Sequence, residues 1–171
     1  MSNKIDEGVL RFEFIGCEVA KRLDAKNHSS YGLKAVDIIA ESDDCLYFIE
    51  IKDYQNPNAP LERRKEDYKM LCEAIEKKDS VFCIEMGVKI KDSLLQCYAM
   101  GGNFDKRVVY LLLIRLDKYG SFERGRLKEK INGHVPLGLN DTRFSKFKEI
   151  SFELVNAEQL KQYGIICTVI P

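Results

Sequence analysis

The sequence predicts an α/β fold, an α-β sandwich in which helices flank a central mixed sheet. Residues 107 to 116, RVVYLLLIRL, are apolar at nearly every position, as in a strand that is covered on both faces. Residues 33 to 40 and 45 to 52 form two apolar runs around a polar turn, as in a β-hairpin. Segments before and after the hairpin have apolar residues at helical spacing. With 171 residues, the chain is expected to form a single domain over residues 1 to 171.

Before the hairpin, the sequence predicts one helix over residues 5 to 23, because its apolar side chains would form one stripe. That stripe contains Ile5, Val9, Phe12, Gly16, Val19, Ala20 and Leu23. NHSSYG, residues 27 to 32, is typical of a turn, and a short strand can be fitted into residues 26 to 32. The core is therefore expected to begin with a helix that packs on the sheet.

After the hairpin, the prolines and asparagines of YQNPNAP, residues 54 to 60, break the chain. The elements predicted beyond this loop are, in order, helices over 61–78 and 88–100, the buried strand, a short helix over 125–131, a strand over 149–155, a short helix opened by the capping box Asn156-Ala-Glu-Gln159, and a strand over 165–170. We therefore divide the domain into an αββαβ core, residues 1 to 116, and a C-terminal extension, residues 117 to 171, with a basic patch and a β-α-β unit.

Composition and motif content exclude several classes of function. The formal net charge is zero, so attraction to nucleic acid would require a local basic patch. The two histidines are not spaced as zinc ligands, and the glycines do not form a nucleotide-binding motif. The six cysteines contain no C-x-x-C pair, as expected for free thiols in a reducing compartment. The sequence shows no secretory signal and no run long enough to span a membrane, so we expect a cytoplasmic protein that does not bind membranes.

The hairpin brings three charged residues together. If Asp43 and Asp44 form a two-residue turn, paired residue numbers sum to 87, and Asp37 lies opposite Glu50. Side chains alternate between the faces of a strand. One face is therefore expected to carry Asp37, Ile39, Leu46, Phe48, Glu50 and Lys52, and the other Val36, Ile38, Ile49 and Ile51. Directly opposed like charges destabilise a sheet unless something neutralises them, and a divalent cation would do so.

This arrangement resembles the PD-(D/E)xK nuclease superfamily, which includes many restriction endonucleases and the archaeal Holliday-junction resolvases. The resemblance rests on Asp37 and on Glu50-Ile51-Lys52 in a hairpin that precedes a helix and a buried strand. It implies a restriction-endonuclease-like fold. It also implies that Asp37, Glu50 and the main-chain oxygen of Ile51 bind Mg²⁺ or Mn²⁺, and that Lys52 assists the attacking water. Val36 stands where many members have a proline.

Many members of this superfamily add a glutamate from the first helix. The candidates here are Glu13 and Glu18. Glu13 shares a flank of the predicted helix with Gly16, which would let that flank approach the sheet closely, so Glu13 is preferred as a catalytic residue and metal ligand.

Candidate substrate-binding residues lie in two places. Tyr54 and Gln55 follow the motif directly, where they can contact a phosphate or a base, although a role in the turn before Pro57 fits equally well. From residue 118 to residue 148 the chain carries eight basic and three acidic residues, which favours contact with a phosphate backbone. Within this region we select Arg124, Arg126 and Lys128. Lys89 and Lys91 border the helix over 88–100, whose orientation the sequence leaves open.

The function expected from these residues is that of a Mg²⁺-dependent nuclease, a hydrolase that binds and cuts DNA. Such an enzyme can act as a homodimer. Three alternatives stay open at this point. The charged residues can form a solvated sheet face, the chain can be a non-catalytic interaction or nucleic-acid-binding domain of the same fold, or it can be a structural subunit of a larger assembly.

Overall fold

The computed structural model describes residues 3–23, 32–144 and 146–170. Within these residues the strands are β1 (Asn3–Glu7), β2 (Leu10–Phe14), β3 (Cys17–Arg22), β4 (Ile38–Ser42), β5 (Cys45–Asp53), β6 (Arg107–Arg115), β7 (Glu149–Val155) and β8 (Ile165–Val169). The α-helices are α1 (Leu61–Glu76), α2 (Val81–Ala99) and α3 (Ser121–Asn132). In the described part of the chain, no helix has the length and apolar character needed to cross a membrane.

The described elements form three layers, and the predicted α/β class with a mixed sheet is confirmed. A five-stranded sheet has the order β3-β4-β5-β6-β7, with β5, β6 and β7 parallel and the other neighbours antiparallel. Helices α1, α2 and α3 bury their apolar residues against one face of this sheet, where Phe48 and Met86 belong to the same core. A three-stranded antiparallel sheet, β1-β2-β8, covers the other face, where Phe12 and Ile49 belong to a second core. The expectation of helices on both faces is therefore wrong.

The predicted N-terminal helix is also wrong, because residues 3 to 22 form three strands. In β2, Leu10, Phe12 and Phe14 are buried while the residues between them are not, which is the period of a strand. Gly8 and Gly16 have φ angles of 59° and 74°, which suit the turns between these strands and interrupt any helix. The apolar residues of this segment fit a helical spacing, but over residues 10 to 14 they also alternate with a period of two, which is the pattern that the structure adopts.

The strand that precedes the motif hairpin is β3, which pairs antiparallel with β4. It was expected at residues 26 to 32, most of which lie outside the described residues. The predicted αββαβ core is thus wrong in its first element: in the described part of the chain, five strands precede α1.

The later elements follow the prediction more closely. Strand β6 is buried along almost its whole length, as expected for a strand covered on both faces. Helix α2 begins seven residues before the predicted start, because Ser80 caps it by accepting a hydrogen bond of 3.2 Å from the Cys83 N–H. The predicted capping box is present: the Asn156 side chain accepts from the Gln159 N–H at 2.8 Å, and the Gln159 side chain accepts from the Asn156 N–H at 3.0 Å.

The last part of the C-terminal extension differs from the prediction in its sheet pairing. Strand β7 lies parallel to β6 in the five-stranded sheet, whereas β8 pairs antiparallel with β2 in the three-stranded sheet. Between them lies a short 3-10 helix, Gln159–Tyr163. The extension therefore does not form one β-α-β unit. It supplies an edge strand to each of the two sheets.

Candidate active site

The motif hairpin has the predicted register. Strands β4 and β5 are joined by Asp43 and Asp44, and Ile38 pairs with Ile49, so paired residue numbers sum to 87. Asp37, directly before β4, therefore lies opposite Glu50 at the open end of the hairpin. This end coincides with the carboxyl ends of β5, β6 and β7, an edge at which α/β proteins commonly bind ligands.

The segment before β4 is fastened to helix α2, which positions Asp37. The Val36 N–H donates to the buried Ser93 hydroxyl at 2.9 Å, and the Lys34 N–H donates to the Asp92 carboxylate at 2.8 Å. The Asp37 carbonyl accepts from the Leu23 N–H at 2.9 Å. Val36 consequently packs in the core on the helix side, so its predicted place on the opposite face is wrong.

The Asp37 carboxylate reaches across to the free edge of β5. Its Oδ2 atom accepts a hydrogen bond of 2.6 Å from the Ile51 N–H. Because the N–H and C=O groups of a strand residue point toward the same neighbouring strand, the Ile51 carbonyl lies on the same edge. Asp37 is thereby held beside the main-chain oxygen that was predicted to bind metal.

Glu50 is the centre of a network of charges. Its side chain is only 1% exposed, and Lys52 Nζ lies 3.0 Å from Oε1. Lys89 of α2 donates to both oxygens, at 2.7 Å and 2.8 Å, and the same Nζ lies 4.0 Å from Asp37 Oδ1. The two carboxylates therefore face one ammonium group, and all four charged groups lie on the helix side of the sheet.

Burial and charge shift the proton affinity of two of these groups. Burial, reinforced by the negative charge of Glu50, raises the pKa of Asp37 from 3.8 to about 7, although Lys89, the Ile51 N–H and Lys52 oppose this rise. Burial alone would lower the pKa of Lys89, but the charges of Glu50 and Asp37 outweigh it and raise that pKa. The charged form of Lys89 is therefore favoured, and the pKa of Asp37 lies near neutral pH.

A pocket of about 420 Å³ opens beside these residues. Asp37, Ile51 and Lys52 form one wall, and the side chains of α1 and α2, among them Arg63 and Glu85, form the other. The remaining lining residues are Glu7, Gly8, Asp53, Tyr54, Asn56, Asn58, Ala59, Pro60, Asp67, Met70 and Phe82. The pocket lining includes acidic, basic and apolar side chains. Its volume is large enough for part of an extended polar ligand.

The donor atoms at this site suit a hard divalent cation. Asp37 and Glu50 offer carboxylate oxygens, the Ile51 carbonyl offers a main-chain oxygen, and the Lys89 ammonium group already lies 2.7 Å from Glu50 and 4.0 Å from Asp37. In the described part of the chain, no group of three or more His, Cys, Asp or Glu side chains is placed to hold a metal by itself. Main-chain oxygen, water or phosphate would have to complete the coordination, as is common for Mg²⁺.

The structure does not bring the two predicted N-terminal glutamates to the pocket. Glu13 lies on β2, where it forms an ion pair of 3.8 Å with Lys4 on the neighbouring strand β1. It does not line the pocket. Glu18 lies on β3, exposed. Their assignment to a first helix is wrong because that helix is replaced by strands.

The predicted substrate-binding residues divide into two groups. Tyr54 lines the pocket. In the adjoining turn, the Gln55 N–H donates a hydrogen bond of 3.0 Å to the Asp53 carboxylate. The basic residues on α3 do not line the pocket and have partners of their own. Arg124 donates to the Tyr119 carbonyl at 3.1 Å, Arg126 lies 3.5 Å from Glu76, and Lys128 lies 2.7 Å from Glu153.

Several charged residues belong to the site without having been assigned to it from the sequence, including Asp53 and Asp67 of the pocket lining. Glu7, which forms an ion pair with Arg22, and Glu85 line the pocket, and Lys89 contacts both carboxylates. The available signal for Lys89 is its position in VFCIEMGVKI, a stretch in which Glu85 and Lys89 are the charged residues among apolar ones. With α2 started at Val81, Lys89 falls seven residues after the buried Phe82, close to the same face.

Comparison of the chain with models of protein families, with curated protein sequences and with solved structures finds no match.

Proposed function

We propose that the chain is a metal-dependent nuclease of the PD-(D/E)xK type that hydrolyses phosphodiester bonds in DNA. The observation that carries this proposal is the meeting of Asp37, Glu50 and Lys52 at the open end of a hairpin with the required register. The raised pKa of Asp37 is a second support, since buried carboxylates with perturbed pKa values are common at catalytic sites.

In this proposal Asp37, Glu50 and the Ile51 carbonyl hold Mg²⁺ or Mn²⁺. The bound ion would supply a water of lowered pKa and positive charge beside the phosphate. Lys52, which lies 3.0 Å from Glu50 and lines the pocket, orients the attacking water and offsets the negative charge that develops on the phosphate oxygens. Hydrolysis breaks one P–O ester bond and divides the elements of water between the new phosphate and the released hydroxyl.

The pocket would receive the sugar-phosphate backbone next to the scissile bond. Arg63, at the first turn of α1, lines the pocket and can pair with a phosphate, and Tyr54 and the side-chain amides of Asn56 and Asn58 can contact the backbone. The basic residues on α3 would contribute less than their number suggests, because Arg126 and Lys128 already face carboxylates.

The test is cleavage of plasmid DNA and of DNA and RNA oligonucleotides with Mg²⁺ or Mn²⁺. Lys52→Ala should abolish cleavage while the circular dichroism spectrum stays that of the wild type. Lys65→Ala, which removes an exposed lysine from α1, is the matched control and should cut normally. Unchanged cleavage by Lys52→Ala would contradict the assignment.

A second candidate function is a non-catalytic binding domain with the same fold. It is favoured by the balance of charge at the site, where Lys52 and Lys89 neutralise Asp37 and Glu50 without a metal. This candidate predicts that wild-type protein cleaves neither DNA nor RNA and is not stabilised against heat by Mn²⁺.

A further inference from the structure

Lys89 covers the carboxylate of Glu50. Its Nζ donates to both Glu50 oxygens at 2.7 Å and 2.8 Å and lies 4.0 Å from Asp37 Oδ1, so it stands between the two acidic groups. Among the described residues, Asp37 and Lys52 line the pocket but Glu50 does not. An ion that enters the pocket would therefore meet Asp37 first and reach Glu50 only where Lys89 has withdrawn.

We propose that Lys89 is an internal cation that competes with the divalent metal, and that metal binding requires Lys89 to move from Glu50 to Glu85. This inference rests on the proposed function, because it concerns the same metal ligands. It adds a property that the motif itself does not contain, since Lys89 lies on α2, 37 positions beyond Lys52.

The charges at the site explain why the two cations compete. Asp37 and Glu50 carry two negative charges when ionised, and Lys52 and Lys89 carry two positive charges. Within this cluster of four side chains the charges of the two lysines therefore balance those of the two carboxylates before any metal arrives. An arriving divalent ion also finds both Glu50 oxygens already bound to one ammonium group, so the contacts of Lys89 must break before Glu50 can coordinate.

Glu85 is placed to receive the displaced ammonium group. It lies four residues before Lys89 on the same helix, the spacing and order at which glutamate and lysine pair best. Its side chain is partly exposed and lines the pocket, and among the described residues its one ion pair is a long contact of 3.9 Å to Lys34. Its charge already acts on Lys89, whose pKa it helps to raise.

The first experiment measures the dissociation constant of Mn²⁺ for the full chain by isothermal titration calorimetry, without nucleic acid. Lys89→Met and Lys89→Gln should bind Mn²⁺ at least about tenfold more tightly than the wild type, since the competing charge is gone. Lys89→Gln keeps an N–H donor for Glu50, in case the methionine variant does not fold. Lys91→Met removes the same charge from the same helix but touches neither carboxylate, and should bind like the wild type.

A double-mutant cycle tests the role of Glu85. Glu85→Gln should weaken Mn²⁺ binding by the wild type at least about threefold, and should have no effect when Lys89 is already methionine or glutamine. Equal weakening in both backgrounds would make Glu85 a metal ligand and overturn its role as the receiving partner. If neither Lys89 variant folds, the effect of Glu85→Gln on the wild type decides, and an unchanged dissociation constant would overturn the proposal.

The outcomes also separate this inference from the proposed function. If the wild type binds Mn²⁺ and the Lys89 variants bind it no more tightly, the inference fails while the nuclease proposal stands. If neither the wild type nor the Lys89 variants bind Mn²⁺, both proposals are contradicted.

Discussion

The carboxylate of Asp37 accepts a hydrogen bond of 2.6 Å from the main-chain N–H of Ile51, across the open end of the β4–β5 hairpin. This bond uses a main-chain group that β4 would have paired if the strand had begun two residues earlier, at Val36, which falls opposite Ile51 in the hairpin register. It turns Asp37 toward the edge of β5 and places it beside Glu50 and Lys89. The end of the hairpin is thus built around an acidic side chain rather than another apolar pair.

The raised pKa of Asp37 predicts a pH-dependent stability in the absence of metal. The folded pKa of about 7 exceeds the ordinary value of 3.8, so the folded protein binds more protons than the unfolded chain between these values. Stability is therefore expected to fall as the pH rises through this window, by at most about 1.4 kcal/mol for each unit of pKa shift. Urea unfolding with a chelator should show the wild type losing stability relative to Asp37→Asn between about pH 5 and about pH 8. A difference that does not change with pH would contradict the buried, proton-binding state of Asp37.

The position of Glu13 on β2 predicts that this residue is dispensable. Glu13→Gln should cleave DNA and bind Mn²⁺ like the wild type, and its free energy of unfolding should stay within about 0.5 kcal/mol, as for most surface substitutions. Phe12→Ala, one residue away, removes a buried side chain between the two sheets and should cost about 3 to 5 kcal/mol. If a folded Glu13→Gln variant did not cleave DNA, Glu13 would be a catalytic residue despite its position on β2.

The anchor that positions Asp37 can be tested at Ser93. Ser93→Ala leaves the buried Val36 N–H without its acceptor, which should destabilise the protein by about 1 to 3 kcal/mol. Because Val36 precedes Asp37, the folded variant should also bind Mn²⁺ more weakly. Asp92→Ala removes the neighbouring but exposed bond to the Lys34 N–H and should cost less than about 1 kcal/mol. Equal effects of the two variants on metal binding would remove Ser93 from the account.

Two glycines in helices predict effects of opposite sign. A Cβ at Gly87 on α2 would lie 2.5 Å from the His134 Cβ and 2.7 Å from its carbonyl oxygen, so Gly87→Ala should destabilise the protein by about 1 to 3 kcal/mol. A Cβ at Gly125 on α3 meets no atom within 4 Å, and Gly125→Ala should stabilise the protein by up to about 1 kcal/mol. Thermal unfolding of both variants checks this. Stabilisation by Gly87→Ala would mean that α2, which carries Lys89, lies further from the His134 loop.

The hairpin register, the shared face of Glu50 and Lys52, and the buried strand β6 could be predicted because each depends on local sequence. The Asp43-Asp44 turn fixes the hairpin register, and the alternation along β5 then places Glu50 and Lys52 on one face. The uninterrupted apolar run of β6 likewise indicated a strand buried on both sides. These features depend on neighbours within a few residues or on the period of a single strand.

The features that were missed depend on distant contacts or on competing periods. Residues 5 to 23 match a helical spacing, but the turns at Gly8 and Gly16 and the pairings of β1 with β2, β2 with β8 and β3 with β4 hold the segment in strands. The orientation of Lys89 depends on how α2 packs against β5, 39 residues away in the chain, which no local pattern contains. The candidate site was therefore predicted from one hairpin, without the helix that covers it.

Diffraction from crystals soaked in Mn²⁺ tests the central claim most directly. We expect an anomalous peak within coordinating distance of Asp37, Glu50 and the Ile51 carbonyl, with Lys89 moved away from Glu50. Crystals that contain Mn²⁺ at saturating concentration but show no peak there, with the contact between Lys89 and Glu50 intact, would contradict it.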